Sequence, residues 1–510
     1  MKKLLSACLV LLCAALLLPA VGALGGAVTP VGYPAVVWDD AAATPAVSAS
    51  GTYPRMARLG DGRLLVTHSA NVSFSADEGR SWSTTQPLPT PQATALSGAH
   101  VLNPANHQPF VLPGMGEDGR DLVMIAYRCD TNGFGASTVG EFYTSMRVVT
   151  SRDGGETFGD EIVLIENTCL RRTEEHANDN SIYSSYRGYW EPMPVQTDND
   201  TVLLYYADDL SVEAGKSPWR QQIRYFTYSI ASGAWNTDTA NNIAIDGSIR
   251  TSSTLGSRDG MPAVTKLSDG SFAMVIEAQD YNNRSYIRPD GTKTEKGYAG
   301  MVITLAFSED GKTWPIEKMR PIAAPTNLFT AGDLASGDSC GAPYIATLPD
   351  GRVAVSYQSS EDYIGDRGVR LPYVLRVIVS NEPLTYNSDI IATEGGVSPS
   401  FTALDAPFPA VRNESQVWNS VSCIDGRLYA LSSTRVTGTA GSAAVKVRRS
   451  VPIAFITDLD GNGRLDLADI HGLLGALSTG AYPPSQLDYN GDGVFNIADV
   501  LYSLVSLLDA

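Results

Sequence analysis

A strand–turn–strand unit recurs six times along this chain of 510 residues. Each copy is a short apolar stretch, a turn that carries an aspartate, and a second apolar stretch, as in "MPAVTKLSDGSFAMVIEAQD". This is the sequence pattern of a β-hairpin. The units lie roughly 73 residues apart, with room for more strands in each, and this period predicts an all-β protein with a six-bladed β-propeller. A β-sandwich would not repeat a hairpin so regularly. The turn aspartates are Asp61, Asp118, Asp198, Asp269, Asp350 and Asp425.

The sixth unit lacks an outer strand. After its hairpin only "AVKVRRSV" remains as a further strand. A propeller closes into a ring when N-terminal chain completes the last blade, so we expect "YPAVVWDD" (33–40) to form the missing strand. The propeller is then predicted at residues 24–452.

A second repeat, Ser-x-Asp followed by glycine and an aromatic residue, occurs at 75–82, 151–158 and 308–314. The aspartate can accept hydrogen bonds from turn N–H groups, glycine permits the reversal, and the aromatic ring plugs the blade. The three copies resemble the Asp-box of sialidase-like propellers, which lies on outer turns away from catalysis. The aspartates are Asp77, Asp153 and Asp310, and the aromatic residues are Trp82, Phe158 and Trp314.

The chain opens with two lysines, an apolar run and small residues, "MKKLLSACLVLLCAALLLPAVGALGG". This pattern predicts a signal peptide at residues 1–23, and no later stretch is long and apolar enough to span a bilayer. We expect a secreted, extracellular protein attached to a scaffold or to the cell surface of a bacterium. The formal charge of −18 argues against nucleic acid and anionic membranes as partners. The cysteines of the mature chain can pair after export, in a pattern that the sequence leaves open: Cys129, Cys169, Cys340 and Cys423.

Charged residues gather at one end of the predicted inner strands. In a propeller the first strand of each blade starts, and the second ends, at the functional end of the axis. A solvated rim of arginine–carboxylate pairs would explain any one of these residues, whereas the set favours a polar ligand site. They are Arg55, Glu191 and Arg258 at the starts, and His68, Arg128, Asp208, Glu277 and Glu361 at the ends.

Two of these residues are acids at the ends of otherwise apolar strands. Glu191 precedes "TVLLYY" in one hairpin, and Glu277 ends "SFAMVIEAQ" in the next. Carboxyl groups on adjacent blades can face each other, and such a pair can hydrolyse a glycosidic bond, one acid protonating the leaving oxygen and one carboxylate attacking the anomeric carbon. Aromatic faces for a sugar are expected from Tyr183, Tyr186, Tyr189 and Trp190.

Several segments resemble glycoside hydrolase family 93, the exo-arabinanases: "YPRMARLGDGRLL", "WEP", "SRDGMPAVTKLSDG" and "GAPYIATLPDGRVAVSY". The resemblance covers most of residues 50–435. It implies a six-bladed, sialidase-like propeller that cleaves α-1,5-linked arabinan of plant cell walls with retention of configuration and without a catalytic cofactor. It also implies Glu191 as acid/base and Glu277 as nucleophile, although the division of roles stays open. The expected substrate-binding residues are Arg55, Arg128, Trp190, Asp208 and Arg258.

Three features keep other interpretations open. The second hairpin is stretched around its turn, and a long insertion at 169–189 precedes Glu191, so the glycan and the product length are undetermined. An exo-sialidase is the first alternative, because four arginines could supply the triad that binds a sialic acid carboxylate, although no tyrosine stands out as nucleophile. A non-catalytic carbohydrate-binding propeller is the second. The four arginines are Arg55, Arg128, Arg258 and Arg376.

Two near-duplicate segments at the C-terminus, "DLDGNGRLDLAD" and "DYNGDGVFNIAD", each match a calcium loop. Side-chain oxygens at loop positions 1, 3, 5, 9 and 12 and a carbonyl at position 7 suit calcium, and glycine at position 6 permits the sharp turn. Each loop precedes a predicted helix, and the pair resembles a dockerin, which implies two structural calcium ions and a cohesin module on a scaffold protein as partner. We place this domain at 455–510. The ligands are Asp458, Asp460, Asn462, Arg464, Asp466 and Asp469, and Asp488, Asn490, Asp492, Val494, Asn496 and Asp499.

Overall fold

The structure is a computed structural model of the chain. The predicted signal peptide and most of both predicted calcium loops lie outside the residues that it describes. Those residues are 33, 35–39, 46–48, 50–98, 101–131, 141–170, 188–210, 221–239, 241–246, 258–279, 301–326, 338–365, 372–393, 395–436, 443–451, 453, 467–479 and 496–501.

The described strands form six antiparallel sheets, one for each hairpin of the sequence, so the chain is an all-β six-bladed propeller as predicted. The innermost strands contact one another in succession and close a ring, from the first blade to the sixth and back. The strands of blades 1 to 3 are β2 Arg55–Arg58, β3 Leu64–His68, β4 Asn71–Ser75 and β5 Gln86–Pro87; β6 Leu102–Leu112, β7 Leu122–Thr131, β8 Glu141–Ser151 and β9 Gly159–Leu170; and β10 Tyr189–Gln196, β11 Thr201–Asp208, β12 Gln222–Ser229, β13 Ala234–Asn236 and β14 Ile243–Asp246. Those of blades 4 to 6 are β15 Arg258–Lys266, β16 Phe272–Gln279, β17 Val302–Ser308, β18 Arg320–Ala324 and β22 Gly396–Val397; β19 Cys340–Thr347, β20 Val353–Ser359, β21 Val374–Ser380 and β23 Phe401–Ala403; and β24 Glu414–Ile424, β25 Arg427–Val436, β26 Ala444–Arg449 and β1 Ala46–Ser48.

The turn aspartates lie between the first and second strands of every blade, which confirms the predicted positions. In several of them the carboxylate accepts a hydrogen bond from the N–H two residues later. Asp269 does so from Ser271, and Asp350 from Arg352, each at 3.0 Å. Such a bond lets an aspartate fold its own turn without distant partners, so the hairpins can be recognised from the sequence.

The ring closes through N-terminal chain, as predicted, but with a different segment. Strand β1 pairs with β26 as the outer strand of blade 6. The predicted segment, 33–40, instead makes an isolated bridge between Trp38 and Ser450. Its neighbours add two backbone bonds, from Asp39 N to Arg449 O and from Val451 N to Val37 O. Both pieces of N-terminal chain therefore bind blade 6, and only the later one reaches the length of a strand.

The three Ser-x-Asp repeats form the turns after the third strands of blades 1, 2 and 4, away from the axis. In blade 2, Asp153 accepts hydrogen bonds from Ser151 Oγ, Thr157 N and Thr157 Oγ1 at 2.6 to 2.9 Å. Burial alone would raise the pKa of Asp153, but these bonds outweigh it and lower that pKa to about 2. The packing of the aromatic residue is best seen in blade 4, where Trp314 is buried and its Nε1 donates a hydrogen bond to Gly311 O.

Apolar side chains fill the spaces between blades rather than one central core. Leu65, Val123 and Ile125 are buried in one cluster between blades 1 and 2, and Val202 and Phe226 belong to a cluster between blades 2 and 3. Each strand thus presents an apolar face to a neighbouring blade. Three of the four cysteines have described side chains, Cys129, Cys340 and Cys423, and these are free thiols whose pKa burial raises.

The first C-terminal helix predicted after a calcium loop is present as helix α1, which spans Leu467–Thr479. Residues 497–501 are helical at the start of the second, and the rest of that predicted helix lies outside the described residues. At the second helix Asn496 Oδ1 accepts from Ala498 N, and Asp499 Oδ2 accepts from Asn496 N, which is a capping box. In the described part of the chain, no helix has the length and hydropathy needed to cross a membrane.

Candidate active site at the propeller axis

Each inner hairpin carries one non-glycine residue with a positive φ angle at its axial end. The six angles lie between 45° and 59°, a conformation that is uncommon for such residues and costs about 1–3 kcal/mol each. In blades 2 to 6 the residue marks a β-bulge where the pairing register shifts, and a bulge of this kind changes where a side chain points. These residues, which we call the axial ring, are Tyr53, Asn106, Glu191, Met261, Ala342 and Trp418.

A local sequence signal accompanies four members of the axial ring. Each is followed by proline and stands seven or eight residues before the turn aspartate of its blade. Proline has no N–H to donate, so within a sheet it fits where the ladder is interrupted by a bulge. Tyr53, which this signal marks, was not among the predicted site residues. The four dipeptides are Tyr53-Pro54, Glu191-Pro192, Met261-Pro262 and Ala342-Pro343.

The axial ring has an apolar side. Tyr53, Met261 and Ala342 form a buried cluster, with Trp418 packed against it. These four residues come from blades 1, 4, 5 and 6, and residues of blades so far apart meet only at the axis. The ring residues therefore converge at the centre of the propeller.

The other side of the ring is polar. Burial raises the pKa of Tyr53 to about 12; Arg55 opposes this shift, the charge of Glu191 adds to it, and a hydrogen bond with Asn106 opposes it. The Tyr53 hydroxyl thus lies among Asn106, Arg55 and Glu191 and stays protonated at neutral pH. Glu191 itself is half-buried on β10.

A second layer closes the axis beneath the ring. Gln108 Nε2 donates to Tyr344 Oη at 2.8 Å, which joins blade 2 to blade 5 across the axis. The Arg55 guanidinium lies 3.7 Å from the ring centre of Tyr53 and 4.9 Å from that of Tyr344. Arg55 is 1% exposed, so in this geometry it supports the floor, and direct binding of substrate by Arg55 stays a prediction. The same guanidinium donates to the carbonyls of Pro54, Trp418 and Asn419.

Glu277 is held by the neighbouring blade. It is 7% exposed, and its Oε2 accepts a hydrogen bond of 2.9 Å from the N–H of Ala342, a member of the axial ring. Two glycines leave space for the carboxylate: a Cβ at Gly341 would lie 3.0 Å from Glu277 Oε2, and one at Gly260 would lie 3.4 Å from Glu277 Oε1. The carboxylate is therefore fixed by one oxygen while the other faces Gly260.

The bond from Glu277 to Ala342 has equivalents in two other blades. Gln358 Oε1 accepts from Trp418 N at 3.1 Å, and Ser433 Oγ accepts from Tyr53 N at 3.0 Å. In each case a side chain on the second strand of one blade secures the axial-ring N–H of the next blade. We call these contacts the ring latches. An acid is thus not required for the latch itself, since an amide and a hydroxyl do the same elsewhere.

Two predicted substrate-binding residues meet next to Glu191. The Arg128 guanidinium lies 4.3 Å from the ring centre of Trp190, the residue before Glu191. Arg128 also forms a buried ion pair with Asp130 and donates from Nε to Asn106 Oδ1 at 3.0 Å. These contacts bring Arg128 to the polar side of the axial ring. Trp190 is buried, and its Nε1 donates to Asp209 Oδ2 at 2.6 Å.

The remaining predicted axial residues are placed differently. Asp208 is buried in an ion pair of 3.1 Å with Arg224 and accepts from Leu210 N. Glu361 accepts from Thr326 N at 2.7 Å and so caps a loop. Arg258 begins β15, and its side chain lies outside the described residues.

His68 and the aromatic residues proposed to face a sugar were also located. His68 is buried, and burial lowers its pKa to about 4, so it is neutral at pH 7. Tyr189 is buried, with its ring at 80° to that of Tyr206, and a sugar contact of Tyr189 stays a prediction. Tyr183 and Tyr186 lie outside the described residues.

Among the described residues, no group of three or more His, Cys, Asp or Glu side chains is arranged to hold a metal ion. Of the predicted calcium ligands, only Asn496 and Asp499 have described side chains, and both take part in the capping box. Two calcium ions in the C-terminal loops thus stay a prediction.

Comparison with known proteins gives likenesses of fold. No family model matches the chain, and no curated protein matches it. A GH93 α-L-arabinofuranosidase of Fusarium graminearum, solved with arabinobiose, aligns with a TM-score of 0.48 and 16% identity over 83% of this chain and 97% of the other. An α-L-arabinanase of Penicillium chrysogenum, also with arabinobiose, aligns with a TM-score of 0.47 and 15% identity over 82% and 97%.

A sialidase of Trypanosoma rangeli aligns with a TM-score of 0.42 and 12% identity over 83% of this chain and 58% of the other. Likenesses at this level assign no activity. The function must therefore be argued from the residues of this chain.

Proposed function

We propose that this protein is a retaining, exo-acting glycoside hydrolase of α-1,5-arabinan, with Glu191 as acid/base and Glu277 as nucleophile. The observation that carries the proposal is that both glutamates belong to the inner hairpins of adjacent blades, at the end where the axial ring converges. The sequence resemblance to the exo-arabinanases supplies the substrate class.

The environment of Glu277 suits a nucleophile. The Ala342 N–H fixes Oε2, so Oε1 is held in one direction, towards the space beside Gly260. A carboxylate that is already oriented loses little freedom when it attacks an anomeric carbon. Attack by Glu277 would form a covalent glycosyl–enzyme intermediate and release the leaving group.

The environment of Glu191 suits proton transfer. The positive φ of Glu191 and the bulge in β10 aim its side chain at the axis, and strain of this kind is found where function requires a fixed side chain. In the first step Glu191 would protonate the glycosidic oxygen, and in the second it would take a proton from the water that hydrolyses the intermediate. The protonated Tyr53 hydroxyl is a hydrogen-bond donor beside it.

The axis has a floor. Arg55, Gln108 and Tyr344 fill the centre beneath the axial ring, so a sugar can approach the glutamates only from the mouth of the propeller. The preference for a terminal sugar is taken from the sequence resemblance to the exo-arabinanases.

One observation favours a sialidase as a second candidate, because the charge of Glu191 acts on the Tyr53 hydroxyl and sialidases use a tyrosine nucleophile. A sialic acid carboxylate, however, requires converging guanidinium groups. Three of the four candidate arginines have other partners: Arg55 donates to three backbone carbonyls, Arg128 is engaged with Asp130 and Asn106, and Arg376 is paired with Asp362. The side chain of Arg258 lies outside the described residues. On this ground we prefer the arabinanase.

The experiment that separates these functions incubates the full chain in parallel with linear arabinan and with a sialoside. Binding of arabinan is measured separately. Release of arabinose or short arabino-oligosaccharides with retained anomeric configuration would support the proposal. Release of sialic acid would replace it with the sialidase. Binding of arabinan without any hydrolysis would identify a non-catalytic binding propeller.

We further propose that residues 455–510 form a dockerin that binds two structural calcium ions and a cohesin module of a scaffold protein, and that the protein is secreted. The repeated loop spacing in the sequence supports this proposal. The capping box at residues 496–499 is compatible with it, because the carboxylate of Asp499 and the amide of Asn496 lie together where the predicted loop meets its helix.

A further inference from the structure

Gln221 is a buried amide without a hydrogen-bond partner among the described residues. It immediately precedes β12 in blade 3 and is 0% exposed, and no described residue pairs with its Oε1 or its Nε2. Buried side-chain polar groups are paired in the great majority of cases, and leaving one unpaired is destabilising. A residue of this kind therefore needs a reason other than stability.

Its position supplies a reason. A Cβ at Gly260 would lie 2.6 Å from Gln221 Oε1 and 3.4 Å from Glu277 Oε1. The absence of a side chain at position 260 thus keeps a space open between the amide and the carboxylate. The other oxygen of Glu277 is engaged by Ala342, so the oxygen on the Gln221 side is the one directed into that space.

Among the described residues, the second strand of blade 3 has an alanine at the position next to this space. Ala207 lies opposite Trp190 in blade 3, at the position that Glu277 and Gln358 occupy in the next two blades. An alanine has no polar group with which to pair Gln221. The amide remains available to a partner that enters beside Glu277.

We propose that Gln221 is a specificity-determining residue that binds the substrate hydroxyl next to the anomeric carbon. This inference rests on the proposed function. A nucleophile that approaches the anomeric carbon also comes close to the neighbouring 2-hydroxyl, whose hydrogen bonds strengthen in the transition state. A primary amide can both donate to and accept from that hydroxyl, which lies in the space between Gln221 and Glu277.

The test replaces the amide by an apolar side chain of similar shape, Gln221→Met. Because the amide is unpaired in the free protein, we expect the melting temperature of the variant to be equal to or higher than that of the wild type. With 4-nitrophenyl α-L-arabinofuranoside we expect kcat/KM to fall about 100-fold, as when one donor to a transition state is removed. With the 2-deoxy analogue of this substrate, wild type and variant should be equally active.

The matched control is Gln358→Met, the same substitution at a glutamine that is paired. Gln358 secures the N–H of Trp418 in a ring latch, so its loss should lower the melting temperature. The inference would be overturned if Gln221→Met had a lower melting temperature and lost the same factor in kcat/KM on both substrates, since this would show a structural role. Unchanged activity of Gln221→Met on both substrates would also overturn it. A wild type that is inactive on linear arabinan as well as on both of these substrates would overturn the proposed function.

Discussion

Glu277 has two roles in the proposed enzyme, and they are separable at the level of one residue. Its Oε2 secures the N–H of Ala342, while its Oε1 faces the space beside Gly260. Glu277→Gln retains an oxygen for the latch, as Gln358 does in the next blade, but an amide cannot act as the nucleophile. We expect turnover to fall by at least about 10³-fold with the melting temperature close to that of the wild type.

Glu277→Ala removes both roles. It leaves the buried N–H of Ala342 unpaired, which costs about 1–3 kcal/mol, so denaturant unfolding should show lower stability as well as lost turnover. Ser433→Ala, which removes a ring latch remote from Glu277, provides the comparison for stability alone. Near-normal turnover of Glu277→Gln would mean that another residue is the nucleophile.

Among the structural elements, the Ser-x-Asp turn of blade 2 makes a contribution to stability that depends on pH. The pKa of Asp153 is about 2 in the folded chain, below its ordinary value of 3.8. Between these pH values the unfolded chain binds a proton that the folded chain does not, so stability falls as pH decreases. The contribution is complete above about pH 4 and is lost as the pH approaches about 2.

Asp153→Asn should therefore be less stable than wild type at neutral pH, and the difference between their denaturation midpoints should narrow as pH falls through this window. The exposed Asp389 offers a control, since Asp389→Asn changes the charge equally without a hydrogen-bonded turn. If the difference between the denaturation midpoints of wild type and Asp153→Asn stayed constant between about pH 5 and pH 3, Asp153 would not be the source of this pH dependence.

The C-terminal module is the second element with a testable behaviour. Helix α1 has 13 residues, and isolated helices of this length are marginal in water. If calcium folds the module, its binding free energy is also folding free energy. Addition of a calcium chelator to the full chain should make residues 455–510 sensitive to protease and abolish cohesin binding.

Hydrolysis of soluble arabino-oligosaccharide by the same sample should continue at its original rate. Inhibition by the chelator would instead mean that the propeller requires its own metal. Protection of the module from protease in chelator would contradict the calcium-dependent fold.

At the scale of the complete propeller, a buried arginine lies where the ring closes. Arg449 donates to Glu78 Oε2 at 2.9 Å, to Glu78 O at 3.2 Å and to Asp39 Oδ2 at 3.2 Å. It thereby connects blade 6 to the Ser-x-Asp turn of blade 1 and to the N-terminal segment. Arg449→Met should lower the free energy of unfolding by about 1–3 kcal/mol, since several charge-assisted bonds are lost.

Arg80→Met is the matched control, because Arg80 contacts the same Glu78 at 3.6 Å but is well exposed. Exposed ion pairs contribute about 0–1 kcal/mol, so this variant should be nearly as stable as wild type. Equal denaturation midpoints for Arg449→Met and wild type would show that the ring closes without this contact.

Features that depend on bonds between neighbouring residues were predictable from the amino-acid sequence alone. Asp269 and Asp350 fold their own turns through N–H groups two residues away, and Asp153 does so through residues up to four positions away. Such turns form through the same local hydrogen bonds whatever lies around them. For this reason the six hairpins, their arrangement around the axis and the outer turns could be predicted. The placement of Glu191 and Glu277 on adjacent blades followed from the same repeat.

Contacts between distant parts of the chain became known only from the folded structure. Arg55 and Asp208 were predicted to bind substrate; in the structure Arg55 is buried in the floor and Asp208 is paired with Arg224, and substrate binding by either residue stays a prediction. Gln221, Gly260 and Glu277 meet although they come from different blades or different strands. Contacts of this kind depend on the bulges and on how the blades close around the axis, and no local pattern encodes the resulting distances.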